Sequence, residues 1–295
     1  MSLWNDRNFT PMLLHEENKP FNSKDYLYEI KFDGIRAMIF ASPKEVKIYS
    51  RNKNDITYLY PELQSIKKIA KRNTIFDGEI ISMENKVPSF SKLQERARLK
   101  SKSKILSHMK TKPVIFICFD ILYDGKNIMD LPLIKRKKIL NKYKENDYFM
   151  ISKYIINNGI NLFKSIKKLN LEGIVAKKID SLYEINTRSS SWIKIKNIHR
   201  EAFFVGGYIK NKSNYTITLV LGEKKNNKLY YVGKVILGKK HKLYEDIIKM
   251  KTIRKTPFVD YDEENTTYLN PDITCVVKYT EKTKNGNLRH AVIDN

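Results

Sequence analysis

The chain has 295 residues, 41% of them hydrophobic and 11% aromatic, which is enough for about two folded domains and excludes a disordered tail. No stretch approaches the roughly 20 apolar residues of a membrane-spanning helix, and the N-terminus lacks the pattern of a secretory signal. The cysteines, Cys118 and Cys275, each lie in an apolar strand-like run. We therefore expect two buried free thiols in a reducing cytosol, with one disulfide as the alternative.

Charge is the most informative bulk property of the chain. Lysine and arginine total 56 against 32 acidic residues, which gives a net charge of +24. The cations cluster in residues 92–112, 135–138 and 224–242. Such an excess predicts attraction to a polyanion, through neutralisation of phosphates and release of counterions. Nucleic acid is the favoured partner, while a lysine-rich solvated surface and a basic membrane-surface protein are the alternatives.

Strand and helix patterns alternate through the first two thirds of the chain. Two short apolar strands within residues 26–40 flank Asp33-Gly34, a turn dipeptide that predicts a hairpin. Apolar residues near a 3.6 period predict a helix over 59–69. Surface helices with basic outer faces are predicted over 131–143 and 160–169. Further strands are predicted at residues 46–49, 74–81, 114–122, 173–177 and 192–196.

After about Asn197 the chain becomes rich in strand patterns, and we place a hinge at residues 197–201. Five strands with a helix between the third and the fourth is the element order of an OB-fold. Other small barrels fit this order nearly as well. The strands are predicted at residues 202–209, 215–221, 229–237, 274–279 and 288–293, and the helix at 241–250.

A lysine closes the first apolar strand. Residues 29–36 read EIKFDGIR, which places Lys31 at the strand end, just before a turn and near Arg36. A lysine becomes a nucleophile when its amine is deprotonated, which nearby cations or desolvation promote. Taken alone, this string is more often an ordinary turn.

Two carboxylates accompany comparable strands. Glu79, in the string DGE, closes the strand at 74–76, and Glu172 stands directly ahead of the strand at 173–177. Mg²⁺ prefers a few carboxylates together with water and phosphate oxygens, so the pair fits a metal ion on a triphosphate. Each acid taken singly is more often a solvated turn residue.

The strand WIKIK at 192–196 carries a sharper pattern. Alternate residues of a strand share a face, so Trp192, Lys194 and Lys196 lie on one face and Ile193 and Ile195 on the other. Burial of the isoleucines would direct two ammonium groups into one cleft, where they suit triphosphate oxygens. An amphipathic edge strand with solvated lysines is the alternative.

In this order, the segments resemble the motifs of the covalent nucleotidyltransferases, which are DNA ligases, RNA ligases and mRNA capping enzymes. Each motif is loose alone, whereas their order and spacing together are highly specific. The matching segments, which span almost the whole chain, are KFDGIR at 31–36, SR at 50–51, DGE at 77–79, FICFD at 116–120, LEGIVAK at 171–177 and RSSSWIKIK at 188–196. The resemblance implies an α+β chain. Its nucleotidyltransferase domain, of ATP-grasp-like antiparallel sheets with helices, would span residues 1–198, and an OB-fold β-barrel would span 199–295.

Details within these segments favour an ATP-dependent DNA ligase, similar to the ligase domain of bacterial end-joining ligases. Glu29 fits the position that hydrogen-bonds the adenine amino group in DNA ligases. Phe90 with LQER at 93–96, FDILYDG at 119–125 and the segment 201–208 have the same character. An RNA ligase or a capping-type guanylyltransferase is the first alternative. A catalytically inactive DNA-end-binding homologue is the second.

The resemblance implies a role for each site residue. Lys31 would be the catalytic nucleophile that accepts AMP from ATP, Glu29 would read adenine, and Phe119 would stack on it. Glu79 and Glu172 would hold Mg²⁺ or Mn²⁺, or contact the ribose. The full set implied to bind ATP is Glu29, Lys31, Arg36, Arg51, Glu79, Phe119, Glu172, Arg188, Lys194 and Lys196.

The same resemblance implies partners and a location. The substrate would be nicked double-stranded DNA, and AMP would pass from Lys31 to the 5′-phosphate before the 3′-hydroxyl displaces it. We expect a monomer without membrane contact, in the bacterial cytoplasm and associated with the nucleoid through DNA. DNA repair and recombination, including non-homologous end joining with a Ku-like end-binding protein, are the implied processes.

One departure from the family pattern lies near the end of the sequence. The OB domain of the family usually ends in a motif with a basic residue and an Asp-Lys or Asp-Arg pair, which orients pyrophosphate during self-adenylation. Residues 287–295 read NLRHAVIDN, which approaches that motif without completing it. Substitution by Arg289 and its neighbours, a truncated sequence and slow self-adenylation are the three explanations.

Overall fold

The structure is a computed structural model that describes residues 3–85, 87–212 and 215–294. The chain separates into two compact units, Met1–Lys196 and Asn197–Asn295. In the described part of the chain, no helix is both long and apolar enough to cross a membrane. Cys118 and Cys275 are buried and free, as predicted.

The described residues of the first unit form eleven strands and four α-helices. The strands are β1 (Leu13–Glu17), β2 (Tyr26–Lys31), β3 (Ile35–Ala41), β4 (Val46–Ser50), β5 (Thr74–Glu84), β6 (Val87–Pro88), β7 (Val114–Asp124), β8 (Phe149–Ile151), β9 (Tyr154–Ile156), β10 (Gly173–Lys178) and β11 (Arg188–Lys196). The helices are α1 (Phe90–Ala97), α2 (Lys102–Thr111), α3 (Leu133–Leu140) and α4 (Gly159–Lys168), and two 3₁₀ helices span Thr57–Leu59 and Pro61–Lys68.

These strands build two sheets. One is five-stranded, in the order β1-β11-β10-β2-β9, and the other is six-stranded, in the order β4-β3-β5-β7-β8 with β6 beside β5. Among the described strand pairs, β1 with β11 and β7 with β8 are parallel, and the others are antiparallel. Largely antiparallel sheets with helices are the α+β arrangement that was predicted.

Asp33-Gly34 connects the two sheets, so the predicted hairpin is wrong. β2 pairs with β9 and β10, whereas β3 pairs with β4 and β5. A Cβ at Gly34 would lie 2.2 Å from the carbonyl oxygen of Ile80, so no side chain fits at this crossing. The turn dipeptide therefore marks a change of sheet, and it places the residues after β2 against β5.

The helix predicted over 59–69 is a 3₁₀ helix, Pro61–Lys68, preceded by the shorter one at Thr57–Leu59. Its apolar residues Leu63, Ile66 and Ile69 recur every three residues. A three-residue spacing aligns side chains on one face of a 3₁₀ helix, which has three residues per turn. Leu63 and Ile66 are fully buried on that face, and Ile69 packs against the same core.

The strand that contains Glu79 is longer than predicted. β5 continues to Glu84, beyond the predicted end at residue 81, and it pairs with β7 along most of its length. A Cβ at Gly78 would lie 2.4 Å from the ring of Phe116, so glycine allows this close pairing. Glu79 therefore lies within a central strand and not at a strand end.

Half of the basic run at 135–138 is buried, so the basic outer face predicted for this helix is smaller than expected. Lys135 and Lys138 are exposed, whereas the side chains of Arg136 and Lys137 are both 0% exposed. Arg136 donates two hydrogen bonds to Asp120, at 3.0 and 2.8 Å. The charge pattern assigned Arg136 and Lys137 to a polyanion-binding surface, but as buried residues they cannot contribute to such a surface.

In the second unit, the described residues form one helix and nine strands. They are β12 (His199–Lys210), β13 (Thr216–Lys225), β14 (Lys228–Gly238), α5 (Leu243–Lys249), β15 (Thr252–Ile253), β16 (Thr267–Leu269), β17 (Thr274–Tyr279), β18 (Glu281–Lys282), β19 (Leu288–Arg289) and β20 (Val292–Ile293). The helix follows the third strand, as predicted. β12 begins within the segment predicted as a hinge.

Seven of these strands form one sheet, in the order β14-β13-β12-β16-β15 with β17 pairing β12 and β20. The pairs recorded for residues 197–212 and 215–294 leave this sheet open. The strand predicted over 288–293 is divided into β19 and β20, because His290 adopts a left-handed backbone conformation with φ of 51°. β19 pairs with β18 and β20 pairs with β17.

Candidate active site

One face of the five-stranded sheet carries four of the ten predicted site residues, Glu29, Lys31, Lys194 and Lys196. The antiparallel register places Lys31 beside Gly173 and Gly173 beside Lys196. One step along, Glu29 pairs with Val175, and Val175 with Lys194. Because alternate residues of a strand share a face, the carboxylate and the three ammonium groups lie on the same side of the sheet.

The opposite face of this sheet packs against α4. Tyr28, Ile174 and Ile195 are fully buried there, together with Phe163 and Ile166 of the helix. Burying one face against a helix directs the other face, with its charged residues, toward the second sheet. The predicted alternation of the WIKIK strand is therefore confirmed.

A cavity lies between this charged face and the six-stranded sheet. Strands of both sheets contribute to its wall, and Phe119 enters it from β7. The lining residues are Leu14, Glu29, Ile30, Lys31, Phe32, Arg36, Glu79, Phe119, Val175, Lys177 and Trp192. Apolar and aromatic walls with a few convergent polar groups are typical of a small-molecule site.

Lys31 is ion-paired with Glu172 and interacts electrostatically with Glu79. Its Nζ is 2.8 Å from Glu172, whose side chain is 17% exposed. Burial raises the pKa of Glu79 to about 8, although Lys31 and Arg36 act in the opposite direction. Burial also raises the pKa of Glu172, and its ion pair with Lys31 opposes that shift. The strand end thus places a lysine in contact with one poorly solvated carboxyl group and within electrostatic range of a second.

This pair of carboxyl groups fits a divalent cation. A buried carboxyl with a raised pKa is one that lacks sufficient positive charge nearby, and a metal ion would supply it. No group of three or more His, Cys, Asp or Glu side chains with metal-binding proximity occurs in the described residues. Water and phosphate oxygens would therefore complete the coordination of an ion held by Glu79 and Glu172, as Mg²⁺ prefers.

Glu29 lies at the other end of the cavity, between two buried lysines. Its Oε1 contacts the ammonium of Lys137, and its Oε2 lies 2.7 Å from the ammonium of Lys177. Burial lowers the pKa of Lys177 to about 8, against the raising effect of Glu29. The Lys177 ammonium also lies 4.2 Å from the ring centroid of Phe119 and 4.0 Å from that of Trp192.

Arg36 lines the cavity with its guanidinium held in place by Asp77. It donates to both carboxylate oxygens of Asp77, at 3.1 and 2.7 Å, and Tyr183 donates to the same carboxylate at 2.6 Å. The guanidinium carbon lies 5.3 Å from the ring centroid of Phe119. A bidentate pair of this kind fixes the orientation of Arg36 beside the aromatic wall.

Lys194 and Lys196 share one carboxylate from the parallel neighbour strand. Glu16 lies 2.9 Å from Lys194 Nζ and 3.0 Å from Lys196 Nζ. Arg51 and Arg188 are exposed, and neither is among the described residues that line the cavity. Of the three predicted lysines, Lys31 lines the cavity, and Lys194 and Lys196 lie on the same face of the sheet but outside the described lining.

Sequence reasoning placed Trp192 on the correct face but missed Lys137, Lys177 and Glu16 as site residues. Lys177 could have been found, because it lies two residues after Val175 in β10 and so points to the same face of the sheet as the other lysines. Lys137 gave no such signal, since it stands in an unbroken basic run that reads as solvated surface.

Two family models match the chain. The model described as ATP dependent DNA ligase domain matches residues 11–196, and the model described as ATP dependent DNA ligase C terminal region matches residues 212–295. The chain therefore belongs to the ATP-dependent DNA ligase family. Membership identifies an enzyme that uses ATP and acts on DNA, and it does not favour the RNA ligase, capping-enzyme or inactive alternatives.

Individual relatives agree with this family. The chain is 30% identical over 283 residues to the SPbeta prophage-derived DNA ligase-like protein LigB of Bacillus subtilis (strain 168), covering 95% of this chain and 96% of that protein. It is also 30% identical over 295 residues to the multifunctional non-homologous end joining protein LigD of Mycolicibacterium smegmatis. That match covers 95% of this chain and 37% of the LigD protein, so the chain spans little more than a third of it.

Solved structures show the same fold. A mycobacterial DNA ligase D complexed with ATP and MES superimposes with a TM-score of 0.60 at 25% identity, covering 98% of this chain and 94% of that one. A structure from a study of Lig E DNA ligases has a TM-score of 0.66 at 17% identity, covering 96% and 98% of the two chains. Together with the family models, they confirm the predicted nucleotidyltransferase and OB-type folds.

Proposed function

We propose that Lys31 is the nucleophile through which this ligase carries AMP, and that the cavity beside it binds ATP. The observation that carries the proposal is the position of Lys31, at the end of β2, where it lines a cavity with aromatic, cationic and carboxyl side chains. Lysine is a nucleophile in its amine form, and a phosphate bound in the cavity would lie within reach of the Lys31 side chain. The Lys31 nitrogen attacks the α-phosphorus of ATP and loses its proton, the bond to the pyrophosphate oxygen breaks, and lysyl-AMP remains.

The lysines of β11 complete the site at the phosphate end. Lys194 and Lys196 lie on the same face as Lys31, with Lys196 in the register of Lys31 and Lys194 in that of Glu29. This position suits them to hold the triphosphate and to stabilise charge on the leaving pyrophosphate. Glu16 forms an ion pair with both ammonium groups, and its single charge leaves them with a net positive charge. Arg51 and Arg188 would contact phosphates of the nucleotide or of the nick.

The base would lie at the Glu29 end of the cavity. Glu29 accepts from the adenine amino group, and the exposed part of Phe119 offers a ring for stacking. Arg36, fixed by Asp77, contacts ribose or phosphate.

Glu79 and Glu172 would hold Mg²⁺ or Mn²⁺, or contact the ribose. When bound there, the ion would neutralise negative charge on the transferring phosphoryl group. Glu172 also keeps the Lys31 side chain in place through their ion pair. The two carboxyl groups thus connect the position of the nucleophile to that of the phosphates.

Sealing would follow from the lysyl-adenylate. The 5′-phosphate oxygen of a nick attacks the phosphorus of lysyl-AMP and releases Lys31, and the 3′-hydroxyl then attacks the 5′-phosphorus and displaces AMP. We assign residues 1–198 to adenylation and 199–295 to an OB-type domain. Action as a cytoplasmic monomer in repair, recombination or end joining with a Ku-like partner is part of the proposal, since a LigD relative is named for non-homologous end joining.

Incubation with α-labelled ATP and Mg²⁺, followed by denaturing electrophoresis, tests the nucleophile. We expect label on the wild type and on Lys44→Ala, an exposed-lysine control, and none on Lys31→Ala. Lys31→Ala should also fail to seal ordinary nicks while it binds them normally. Label on Lys31→Ala would refute the assignment. Label from GTP, or sealing of nicked RNA in preference to DNA, would refute the substrate proposal.

A further inference from the structure

The carboxylate of Glu29 is the centre of a buried trio of charges. Glu29 is 2% exposed, and the two lysines that contact it, Lys137 and Lys177, are 0% and 2% exposed. Each lysine contacts a different oxygen of the carboxylate, Lys137 at Oε1 and Lys177 at Oε2. The contact with Lys177 is an ion pair without hydrogen-bond alignment, so that ammonium keeps N–H groups for another acceptor.

The two lysines reach Glu29 from different sides. Lys177 lines the cavity, beside the rings of Phe119 and Trp192. Lys137 belongs to α3, lies 5.6 Å from the ring centroid of Tyr154, and is not among the described residues that line the cavity. Lys137 therefore contacts the carboxylate from the side away from the cavity and does not reach a ligand bound there.

Stability does not account for Lys137. Glu29 with Lys177 alone would be a neutral buried pair, whereas the trio carries a net positive charge. Each ion removed from water costs free energy that a partner must offset. A second buried ammonium on one carboxylate adds that cost without a second anion of its own, because the nearby Asp120 is paired with Arg136. We therefore attribute to Lys137 an effect on Glu29 in the bound complex.

We infer that Lys137 is a positioning residue that acts through Glu29 to set the preference for adenine. With a single ammonium nearby, a carboxylate can turn both oxygens toward it, and Glu29 would collapse onto Lys177. Lys137 retains Oε1, so that Oε2 keeps a lone pair directed into the cavity. This inference rests on the proposed function, because it concerns the base of the ATP bound there.

The base selected in this way must donate to Oε2. The 6-amino group of adenine does so, whereas the 6-oxo group of hypoxanthine presents an acceptor to a negative oxygen and is repelled. A site that hydrogen-bonds a substrate N–H discriminates strongly against an analogue that lacks it, because its buried polar group is left unpaired. Loss of Lys137 should therefore reduce discrimination at the base, while the reacting atoms at Lys31 are untouched.

The test compares Lys137→Met with Lys138→Met, which removes an exposed lysine from the next position of the same helix. The probes are ATP and inosine 5′-triphosphate, and the readout is the rate of covalent labelling of the enzyme. For Lys137→Met we expect KM for ATP to rise by about tenfold or more, with kcat within about threefold of wild type. The preference for ATP over the inosine nucleotide should fall by about tenfold, and Lys138→Met should behave as wild type.

A wild-type KM and a wild-type preference in folded Lys137→Met would overturn the inference and leave the ligase assignment intact. Failure of the wild type itself to label with ATP would instead reject the proposed function. If the methionine variant does not fold, Lys137→Gln replaces it, with the same expected losses and the same contrary result. In a Glu29→Gln background, the further change Lys137→Met should have no effect on preference. An added loss there would show that Lys137 does not act through Glu29.

Discussion

Lys31 and Glu172 form an ion pair between the end of β2 and the start of β10, and Lys31 Nζ lies 2.8 Å from each carboxylate oxygen. The proposed nucleophile and a proposed metal ligand are thus in direct contact. A divalent ion that binds Glu172 must share the carboxylate with the ammonium. The affinity of the site for the ion and the release of Lys31 for attack are therefore coupled.

Glu172→Gln should weaken binding of the divalent ion that adenylation requires. The amide keeps the shape of the side chain but loses the charge that binds a cation, so the Mg²⁺ concentration for half-maximal labelling should rise about tenfold or more. A Mg²⁺ titration of the labelling rate measures this. Glu184→Gln, an exposed acid in the same unit, is the matched control. An unchanged Mg²⁺ titration in Glu172→Gln would remove Glu172 from the metal site.

Glu79 should make the metal-free protein less stable as the pH rises from 4.5 to 8. Burial raises the pKa of Glu79 from 4.5 to about 8, so in this range the folded protein retains a proton that the unfolded chain has released. The unfolding free energy therefore falls with rising pH, since stability falls wherever the unfolded state binds fewer protons.

Urea unfolding of the wild type and of Glu79→Gln, at intervals from pH 5 to pH 8 without divalent ions, isolates this contribution. Glutamine does not titrate, so the stability of the variant relative to wild type should increase steadily across the range. Taking the difference cancels the titration of other groups. A difference that stays constant with pH would mean that Glu79 is ionised throughout, and that its surroundings are more polar than the structure shows.

Arg136→Met should destabilise the first unit far more than a neighbouring lysine substitution. Arg136 and Asp120 are both 0% exposed and joined by two hydrogen bonds. Removing one partner leaves a buried charge uncompensated, which costs about 3–5 kcal/mol. Lys135→Met, on the exposed side of the same helix, should change the unfolding free energy by about 0.5 kcal/mol or less. Equal effects of the two substitutions in urea unfolding would contradict the burial of this pair.

Much of the site could be predicted because its residues lie at alternate positions of strands and therefore point to one face. Lys194 and Lys196 separated by Ile195 specify a face, and the pairing of neighbouring strands then brings Lys31 to the same face. The motif order supplied the family, and the family models confirm it. The β-rich second unit followed from its strand patterns, although the short strands β15, β16 and β18 were not foreseen.

The errors share one physical cause, which is that local sequence does not specify the partner of a segment. Asp33-Gly34 has the composition of a hairpin turn, but β2 and β3 find partners in different sheets. The sequence pattern predicts that Arg136 and Lys137 face solvent, but each forms an ion pair with a carboxylate of a strand distant in sequence. Buried charges of this kind are satisfied only by tertiary contacts, so a window of neighbouring residues holds no sign of them.

The charged face of the five-stranded sheet also constrains how the chain could change in length. Side-chain direction reverses at every residue of a strand, and a slip of one residue exchanges the two faces. One residue inserted within β2, β10 or β11 would turn part of the strand's charged residues toward the apolar layer on α4 and its isoleucines into the cavity. Insertions and deletions should therefore be tolerated in the connecting loops, or within these strands only where a bulge absorbs the extra residue, and a scan of single-residue insertions would trace the outline of the site.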